Sequence, residues 1–258
     1  MNVFIVAFED TDFEGLDKEL RDLQQLMEDQ LHWRVQRLPL KSGTQQELDD
    51  SIAEVYDIIA SKCDSVTKSL CWVLCSGHGG MRDGKLIWTG TSTSELYVNV
   101  TKTQQQVLAQ VEASCILQYD MCGAGLAANH ELRQSQLLQH HPRSSPSQEL
   151  LLACGVRETS EMGRRSFTQD TTRALRAIFD QEAPLTLEDI ARMSHRKNAS
   201  YTASRVRLRL NGPRIVELYS CYPVLHQQVR SKLLRWVARQ LPETRCRVVI
   251  IRTNGGRK

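Results

Sequence analysis

A chain of 258 residues, 41% of them hydrophobic and 24% charged, can form one large or two small globular domains, and the composition is that of a soluble protein. No stretch approaches the roughly 18 apolar residues that a membrane-spanning helix requires, and the first apolar run turns acidic at Glu9 and Asp10, unlike a signal peptide. The eight cysteines show neither C-x-x-C pairs nor zinc-finger spacing. No disulfide framework and no metal site is therefore predicted, and a cytoplasmic or nuclear location with reduced thiols is expected.

The net charge of +3 is unevenly distributed along the chain. Residues 226–258 contain nine Lys or Arg and one acid, Glu243, which gives this segment +8 and the rest of the chain −5. One interpretation is a solvated, amphipathic terminal helix. The other is an interaction surface, for an acidic partner, for membrane lipid or for nucleic acid, of which nucleic acid is the least expected. The last strand could also form a dimer contact.

Strand and helix patterns alternate over the first 120 residues. In chain order the sequence predicts a strand at 3–7, a helix at 16–31, a strand at 33–40, a helix opened by a capping box at Thr44, a strand at 69–75, a short hairpin arm at 86–88, a helix capped from Thr101 and a strand at 115–119. Such alternation implies right-handed crossovers and a parallel sheet with helices on both faces.

The rhythm breaks at 131–148, a polar segment with two prolines that is expected to be a loop. Beyond it the patterns predict a strand at 149–156, a helix at 166–180, a helix from the capping box at Thr186, strands at 205–210 and 215–219, a helix at 225–241 and a strand at 246–251.

Two of the predicted strands end in residues suited to nucleophilic chemistry. His78 follows one strand among glycines, and Cys122 follows another at the start of a glycine-rich turn. Binding crevices in parallel sheets lie beyond the carboxyl ends of the strands. His78 comes seven residues after Cys71, and Cys122 seven after Cys115, so neighbouring strands in simple register would place His78 and Cys122 at the same height.

The residue types explain how such a pair would act. A thiol becomes a strong nucleophile when an imidazole takes its proton, and the oxyanion formed by attack on an amide needs backbone N–H donors. The N–H groups of Gly79 and Cys122 are the expected donors. Each residue alone has a plainer reading, the cysteine as core and the histidine as a loop residue. A phosphate loop at 77–85 lacks the G-K-[ST] sequence, and Ser76 is too near His78 to be its nucleophile.

Two segments, Cys75-Ser76-Gly77-His78-Gly79-Gly80 and Asp120-Met121-Cys122-Gly123-Ala124-Gly125, resemble the S/A-G-H-G and D-x-C-x-x-G motifs of the caspase and metacaspase superfamily of cysteine peptidases. The resemblance covers about residues 1–222 and is closest in character to fungal metacaspase-like proteins. It implies an α/β three-layer sandwich with a mostly parallel central sheet. A large-subunit-like part (1–130), a linker (131–148) and a small-subunit-like part (149–222) would be followed by a basic extension (223–258).

The resemblance also assigns roles to individual residues. Cys122 would be the nucleophile, His78 the general base and acid, and the N–H groups of Gly79 and Cys122 the oxyanion hole. Asp120 matches the acid that metacaspases direct toward a basic P1 side chain, and Glu158 would lie near the same pocket. Arg157 argues instead for an acidic P1.

The sequence departs from the family in two places. Gly123-Ala124-Gly125 stands where metacaspases carry His-Ser-Gly, and residues 155–159 lack the acidic run of arginine-specific metacaspases. We nevertheless expect a preference for basic P1, because a carboxylate at position 120 would pair with Arg or Lys.

The expected function is therefore a caspase-like cysteine endopeptidase that cleaves polypeptides through an acyl-enzyme and acts in regulated cell death or signalling. Arg133 and Arg143 in the linker predict self-processing there. The chemistry requires no cofactor. The alternatives are a catalytically silent caspase-fold binding module, in which the basic extension docks a partner, and, less favoured, a redox protein.

Overall fold

The structure, a computed structural model, describes residues 1–63, 70–111, 113–124, 127, 148–153, 166–181, 185–186, 206–211 and 217–218. The strands in chain order are β1 (Asn2–Phe8), β2 (Arg34–Leu40), β3 (Cys71–Ser76), β4 (His78–Arg82), β5 (Lys85–Thr89), β6 (Val98–Asn99), β7 (Cys115–Asp120), β8 (Gln148–Leu152), β9 (Leu185–Thr186), β10 (Val206–Asn211) and β11 (Glu217–Leu218). The helices are α1 (Leu16–Gln25), which continues as a π-helical turn (Leu26–Gln30), α2 (Gln45–Lys62), α3 (Val100–Gln110) and α4 (Phe167–Gln181).

Among the described residues, six strands form the central sheet in the order β10-β8-β7-β3-β1-β2. The five strands from β8 to β2 are parallel, and β10 is antiparallel at the edge. All residues of β3 and β7 are buried, as expected for parallel strands covered on both faces. The mostly parallel α/β sheet predicted from the sequence is confirmed.

Two hydrophobic layers enclose the sheet. On one face Val73, Leu117 and Tyr119 pack with the apolar sides of α2 and α3. On the other face Trp72 and Ile116 pack with α1, the π-helical turn and the start of α4. Alternate residues of each strand supply the two faces, because successive side chains of a strand point to opposite sides. The result is the three-layer sandwich expected from the sequence.

The capping predictions had mixed outcomes. Thr44 caps α2, since its Oγ1 accepts a hydrogen bond from the Glu47 backbone N–H at 3.1 Å. The cap predicted at Thr101 is wrong: α3 begins at Val100, and Asn99 Oδ1 accepts from the Lys102 backbone N–H at 3.1 Å. Asn is a strong N-cap residue because its short side chain reaches the free N–H groups of the first turn.

The arm predicted at 86–88 is confirmed as β5, but its partner was not foreseen. β5 pairs antiparallel with β4, whose first residue is His78, and with β6 to form a separate three-stranded sheet. Asp83 (φ 50°) and Gly84 (φ 72°) form the tight turn between β4 and β5. His78 is therefore the first residue of a hairpin strand and not part of an irregular loop.

Several predicted features lie outside the described residues. They are the linker up to residue 147, the helix after Thr186, Arg157, Glu158 and the basic extension 223–258. Thr186 itself lies in β9, which pairs antiparallel with β11. Over the part of the chain that the structure describes, no helix is long and apolar enough to cross a membrane. The same part contains no cluster of three His, Cys, Asp or Glu residues that could hold a metal ion.

Candidate active site

The two strands that precede His78 and Cys122 are direct neighbours in the sheet. β3 and β7 pair in parallel with Cys71 opposite Cys115 and Ser76 opposite Asp120, which is the register expected from the sequence. One further hydrogen bond, from the Gly77 backbone N–H to the Asp120 carbonyl oxygen at 3.3 Å, carries the pairing just past both strand ends. The chain segments that bear His78 and Cys122 therefore leave the sheet at the same level.

Beyond the sheet, the two segments pack backbone against backbone. A Cβ atom at Gly79 would lie 2.0 Å from the carbonyl oxygen of Cys122 and 2.9 Å from its backbone nitrogen. Only glycine allows this approach. The contact brings the predicted oxyanion donors, the N–H groups of Gly79 and Cys122, into one small region beside His78.

Cys122 differs from the other cysteines of the described residues. It is partly exposed, whereas Cys63, Cys71, Cys75 and Cys115 are buried. Burial raises the pKa of Cys75 to about 12. The pKa of Cys71 is also well above the ordinary thiol value, because of its hydrogen bond with Cys115 and its burial. These two cysteines pack as buried thiols, as expected, and Cys122 is the partly exposed thiol among the described cysteines.

His78 is held by two residues that the sequence did not single out. Its Nε2 lies within hydrogen-bonding reach of Oδ1 of Asp12. The ring of Phe13 stacks on the imidazole with centroids 3.7 Å apart and planes 15° from parallel. Asp12 therefore contacts one edge of the ring and Phe13 one face. The histidine side chain is still 20% exposed, so the ring stays accessible.

Asp12 is itself fixed by the loop after β5. Its Oδ2 accepts hydrogen bonds from the backbone N–H of Ser92 at 3.1 Å and from the Ser92 hydroxyl at 2.9 Å. Two hydrogen bonds lower the pKa of Asp12 to about 2: the larger effect comes from the Ser92 backbone N–H, and the next largest from His78. Asp12 is therefore a carboxylate at any pH near neutrality.

A signal for Asp12 was present in the sequence. It lies just past the carboxyl end of β1, and the carboxyl ends of neighbouring parallel strands meet at one edge of the sheet. Applied to β1, the same rule places Asp12 at the edge that holds His78 and Cys122.

Asp120 lies below the surface at the end of β7. Its side chain is fully buried, and Oδ2 accepts hydrogen bonds from the Thr168 backbone N–H at 2.8 Å and from the Thr168 hydroxyl at 2.7 Å. Thr168 is in the first turn of α4, where a carboxylate satisfies free N–H groups and interacts well with the helix dipole. In this arrangement the Asp120 carboxylate ties α4 to the sheet.

The structure thus brings together four residues at this edge of the sheet, His78, Gly79, Cys122 and Asp12, with Asp120 buried beneath them. Arg157 and Glu158 lie outside the described residues, so their predicted place near a substrate pocket stays a prediction. A partly exposed thiol, an oriented imidazole and adjacent backbone N–H groups are the parts that acyl transfer by a cysteine nucleophile requires.

Comparisons with known proteins found a structural match for the fold but no match by sequence. No known protein-family model matches the chain, and no curated protein sequence matches it. Among solved structures it is similar to the Drosophila initiator caspase Dronc, with a TM-score of 0.57, 12% sequence identity, and coverage of 86% of this chain and 84% of that chain. At this identity the likeness shows the fold alone. The chain has a caspase-like fold, whereas its predicted metacaspase character stays a prediction.

Proposed function

We propose that this chain is a caspase-like cysteine endopeptidase in which Cys122 is the nucleophile and His78 the general base and acid. The packing of Gly79 on the backbone of Cys122 is the observation that carries the proposal, because it joins the two strand ends into one site. The partial exposure of Cys122 and the caspase-like fold support it further.

The first half of the reaction cleaves the peptide bond. His78 takes the proton of the Cys122 thiol, and the sulfur attacks the substrate carbonyl carbon. The negative charge that develops on the carbonyl oxygen is stabilised by the N–H groups of Gly79 and Cys122. His78 then donates its proton to the leaving amine nitrogen as the C–N bond breaks, leaving the acyl group on Cys122 as a thioester.

The second half regenerates the enzyme. A water molecule gives a proton to His78 while its oxygen attacks the thioester carbonyl. The C–S bond then breaks, the acid product leaves, and His78 returns the proton to the sulfur of Cys122. Every proton is returned and no oxidation state changes, so the cycle needs no redox cofactor.

The choice of P1 residue is a finer part of the proposal. A basic P1 would be selected by Asp120, with Glu158 near the same pocket. The burial of Asp120 and its two hydrogen bonds to Thr168 weaken this argument, because one carboxylate oxygen is already occupied. We keep the basic preference as the proposal, with an acidic P1 recognised by Arg157 as the competing outcome.

Regulation belongs to the same proposal. Self-processing at Arg133 or Arg143 would follow from a basic P1 preference, and a role in regulated cell death or signalling would follow from control of such cleavage. Intact-mass analysis of wild-type protein and Cys122→Ala, after incubation under conditions where a peptide substrate is cleaved, tests the processing step. A chain that stays whole under those conditions would argue against it.

Cleavage profiling against a diverse peptide library tests the function itself. Wild type, Cys122→Ala and His78→Ala are compared with Met81→Ala, a control on the same hairpin whose side chain is 60% exposed. We expect cleavage by wild type and the control, and none by the two site variants. Cleavage that survives Cys122→Ala would refute the assignment. A folded wild type that cleaves no peptide would favour the silent binding module, with the basic extension (223–258) as its docking segment.

A further inference from the structure

We propose that Asp12 is a positioning residue that fixes the orientation and the tautomer of His78 for reaction with Cys122. The proposal rests on the proposed function for its catalytic consequence, but its structural part can be tested without catalysis. It adds a carboxylate from the segment after β1 to a site otherwise built from the ends of β3 and β7.

The fold explains why residue 12 reaches residue 78. β1 and β3 pair in parallel with Ala7 opposite Ser76, so both chains leave the sheet at the same edge. β1 ends at Phe8 and α1 begins at Leu16, so Asp12 lies in the short connection between them. Gly15, with φ 84°, ends this connection. A connection of this length keeps Asp12 close to the strand end and therefore close to His78.

The carboxylate is oriented before it meets the imidazole. Its Oδ2 accepts both hydrogen bonds from Ser92, and its Oδ1 is directed at Nε2 of His78. Because each oxygen has its own partner, the carboxylate has a preferred rotation about its terminal bond. A group held in this way can restrain the ring that it contacts.

The adjacent residue restrains the same ring from a second direction. Phe13 stacks on one face of the imidazole, 3.7 Å away between centroids, while Asp12 holds its Nε2 edge. An edge contact and a face contact together limit both rotations of the histidine side chain. The two consecutive residues Asp12 and Phe13 thus act as one clamp.

The contact also determines which ring nitrogen is free. An ionised carboxylate can only accept a hydrogen bond, so Nε2 of His78 must carry the proton that it shares with Asp12. In the neutral ring Nδ1 then has the lone pair, and Nδ1 is the nitrogen left to accept the thiol proton of Cys122. When the ring is protonated in the acyl-transfer step, the carboxylate stabilises the imidazolium.

Exposure to solvent limits how much Asp12 contributes to catalysis through His78. The Asp12 side chain is 42% exposed, so its attraction to an imidazolium is screened by water. General acid–base catalysis as a whole contributes about 10²–10⁴-fold. For the loss of a positioning residue alone we expect a smaller fall in kcat, about 10- to 100-fold, at or below the lower end of that range, with a KM changed by less than about twofold.

The test compares Asp12→Asn, Asp12→Ala and Asp12→Glu with Asp10→Asn. Asp10 is a matched control in the same connection, where its Oδ2 accepts a hydrogen bond from the Ser42 hydroxyl at 3.2 Å. Asp12→Asn and Asp12→Ala should lower kcat, Asp12→Glu should recover part of it, and Asp10→Asn should behave as wild type. Ser92→Ala, which removes one support of the carboxylate, should lower kcat in the same direction and by less.

A second measurement reads the tautomer directly. In ¹⁵N-labelled Cys122→Ala protein, the imidazole nitrogen shifts of His78 at neutral pH and above should show Nε2 protonated, and Asp12→Asn should remove this preference. If wild type cleaves no substrate, the proposed function fails and the tautomer alone decides the role of Asp12. An unchanged tautomer in Asp12→Asn, or a kcat equal to that of Asp10→Asn in an active enzyme, would overturn the proposal.

Discussion

The backbone of Cys122 lies so close to Gly79 that a Cβ at residue 79 would come within 2.0 Å of the Cys122 carbonyl oxygen. Neighbouring Gly80 differs, since a Cβ there would meet Ile87 at 3.7 Å, an ordinary van der Waals distance. Neither glycine has a positive φ, so the two substitutions differ only in the space around them.

This contrast gives a matched pair of variants. Gly79→Ala should force the two strand ends apart, lower the free energy of unfolding by about 1–3 kcal/mol and abolish cleavage. Gly80→Ala should be tolerated in both respects. Thermal denaturation and peptide cleavage measure the two effects. Equal activity of the two variants would show that the close approach at Gly79 does not matter for the site.

Thiol reactivity should separate Cys122 from the buried cysteines. Cys71 and Cys75 are buried with raised pKa values, so they stay protonated and inaccessible in the folded protein. With a small alkylating agent at neutral pH, we expect Cys122 to be modified much faster than either of them, and all three to react after unfolding. Peptide mapping by mass spectrometry measures the rates. Modification of Cys75 before Cys122 would be inconsistent with this arrangement.

The hydrogen bonds of Asp12 predict a defined dependence of stability on pH. The pKa of Asp12 is lowered from an ordinary value of 3.8 to about 2, first by the Ser92 N–H and then by His78. A lowered folded-state pKa stabilises the fold above the ordinary value, and this contribution disappears as pH falls through the range from about 4 to about 2.

The measurement is the Tm difference between wild type and Asp12→Asn as a function of pH. It should be present where the Asp12 carboxyl group is ionised in both the folded and the unfolded chain, and should shrink below about pH 4. The same series for Asp10→Asn controls for general surface charge. A Tm difference that grows as the pH falls would have the wrong sign for this assignment.

Asp120 offers a test that separates a structural role from substrate selection. Asp120→Ala would leave the Thr168 N–H and hydroxyl without their buried acceptor, which should cost about 1–3 kcal/mol of stability. Thr168→Val removes only one of the two hydrogen bonds and should cost about 1 kcal/mol.

The substrate readout is the ratio of kcat/KM for basic and acidic P1 peptides with Asp120→Asn, which keeps the shape of the side chain. If Asp120 only ties α4 to the sheet, both rates should fall together and the ratio should stay constant. A ratio that shifts toward acidic P1 would restore the substrate-binding role predicted from the sequence.

Local and periodic features of this fold could be predicted from the sequence. The continuous apolar runs of β1, β3 and β7 predict the parallel sheet. The equal seven-residue offsets, from Cys71 to His78 and from Cys115 to Cys122, predict the register in which Cys71 lies opposite Cys115. The sequence does not distinguish the cap of α3, because Asn99 and Thr101 are both good cap residues and lie only two positions apart.

The parts of the site that were missed depend on distant pairings. Asp12 and His78 are 66 residues apart, and Asp120 and Thr168 are 48 apart, so neither contact has a local pattern. The first requires knowing that β1 is the neighbour of β3. The contact between Asp120 and Thr168 requires knowing how α4 packs against the end of β7. In both cases tertiary packing, and not the residue type, decides what the carboxylate does.

The central claim is that Cys122 is a nucleophile activated by His78, and labelling by a peptide-based electrophile tests it most directly. Folded wild-type protein is incubated with peptides that carry a thiol-reactive carbonyl group and either a basic or an acidic P1 residue, and the site of modification is mapped by mass spectrometry. The account predicts rapid modification of Cys122 that is slowed strongly by His78→Ala and not by Met81→Ala. Labelling of Cys122 at the same slow rate in wild type and His78→Ala would contradict it.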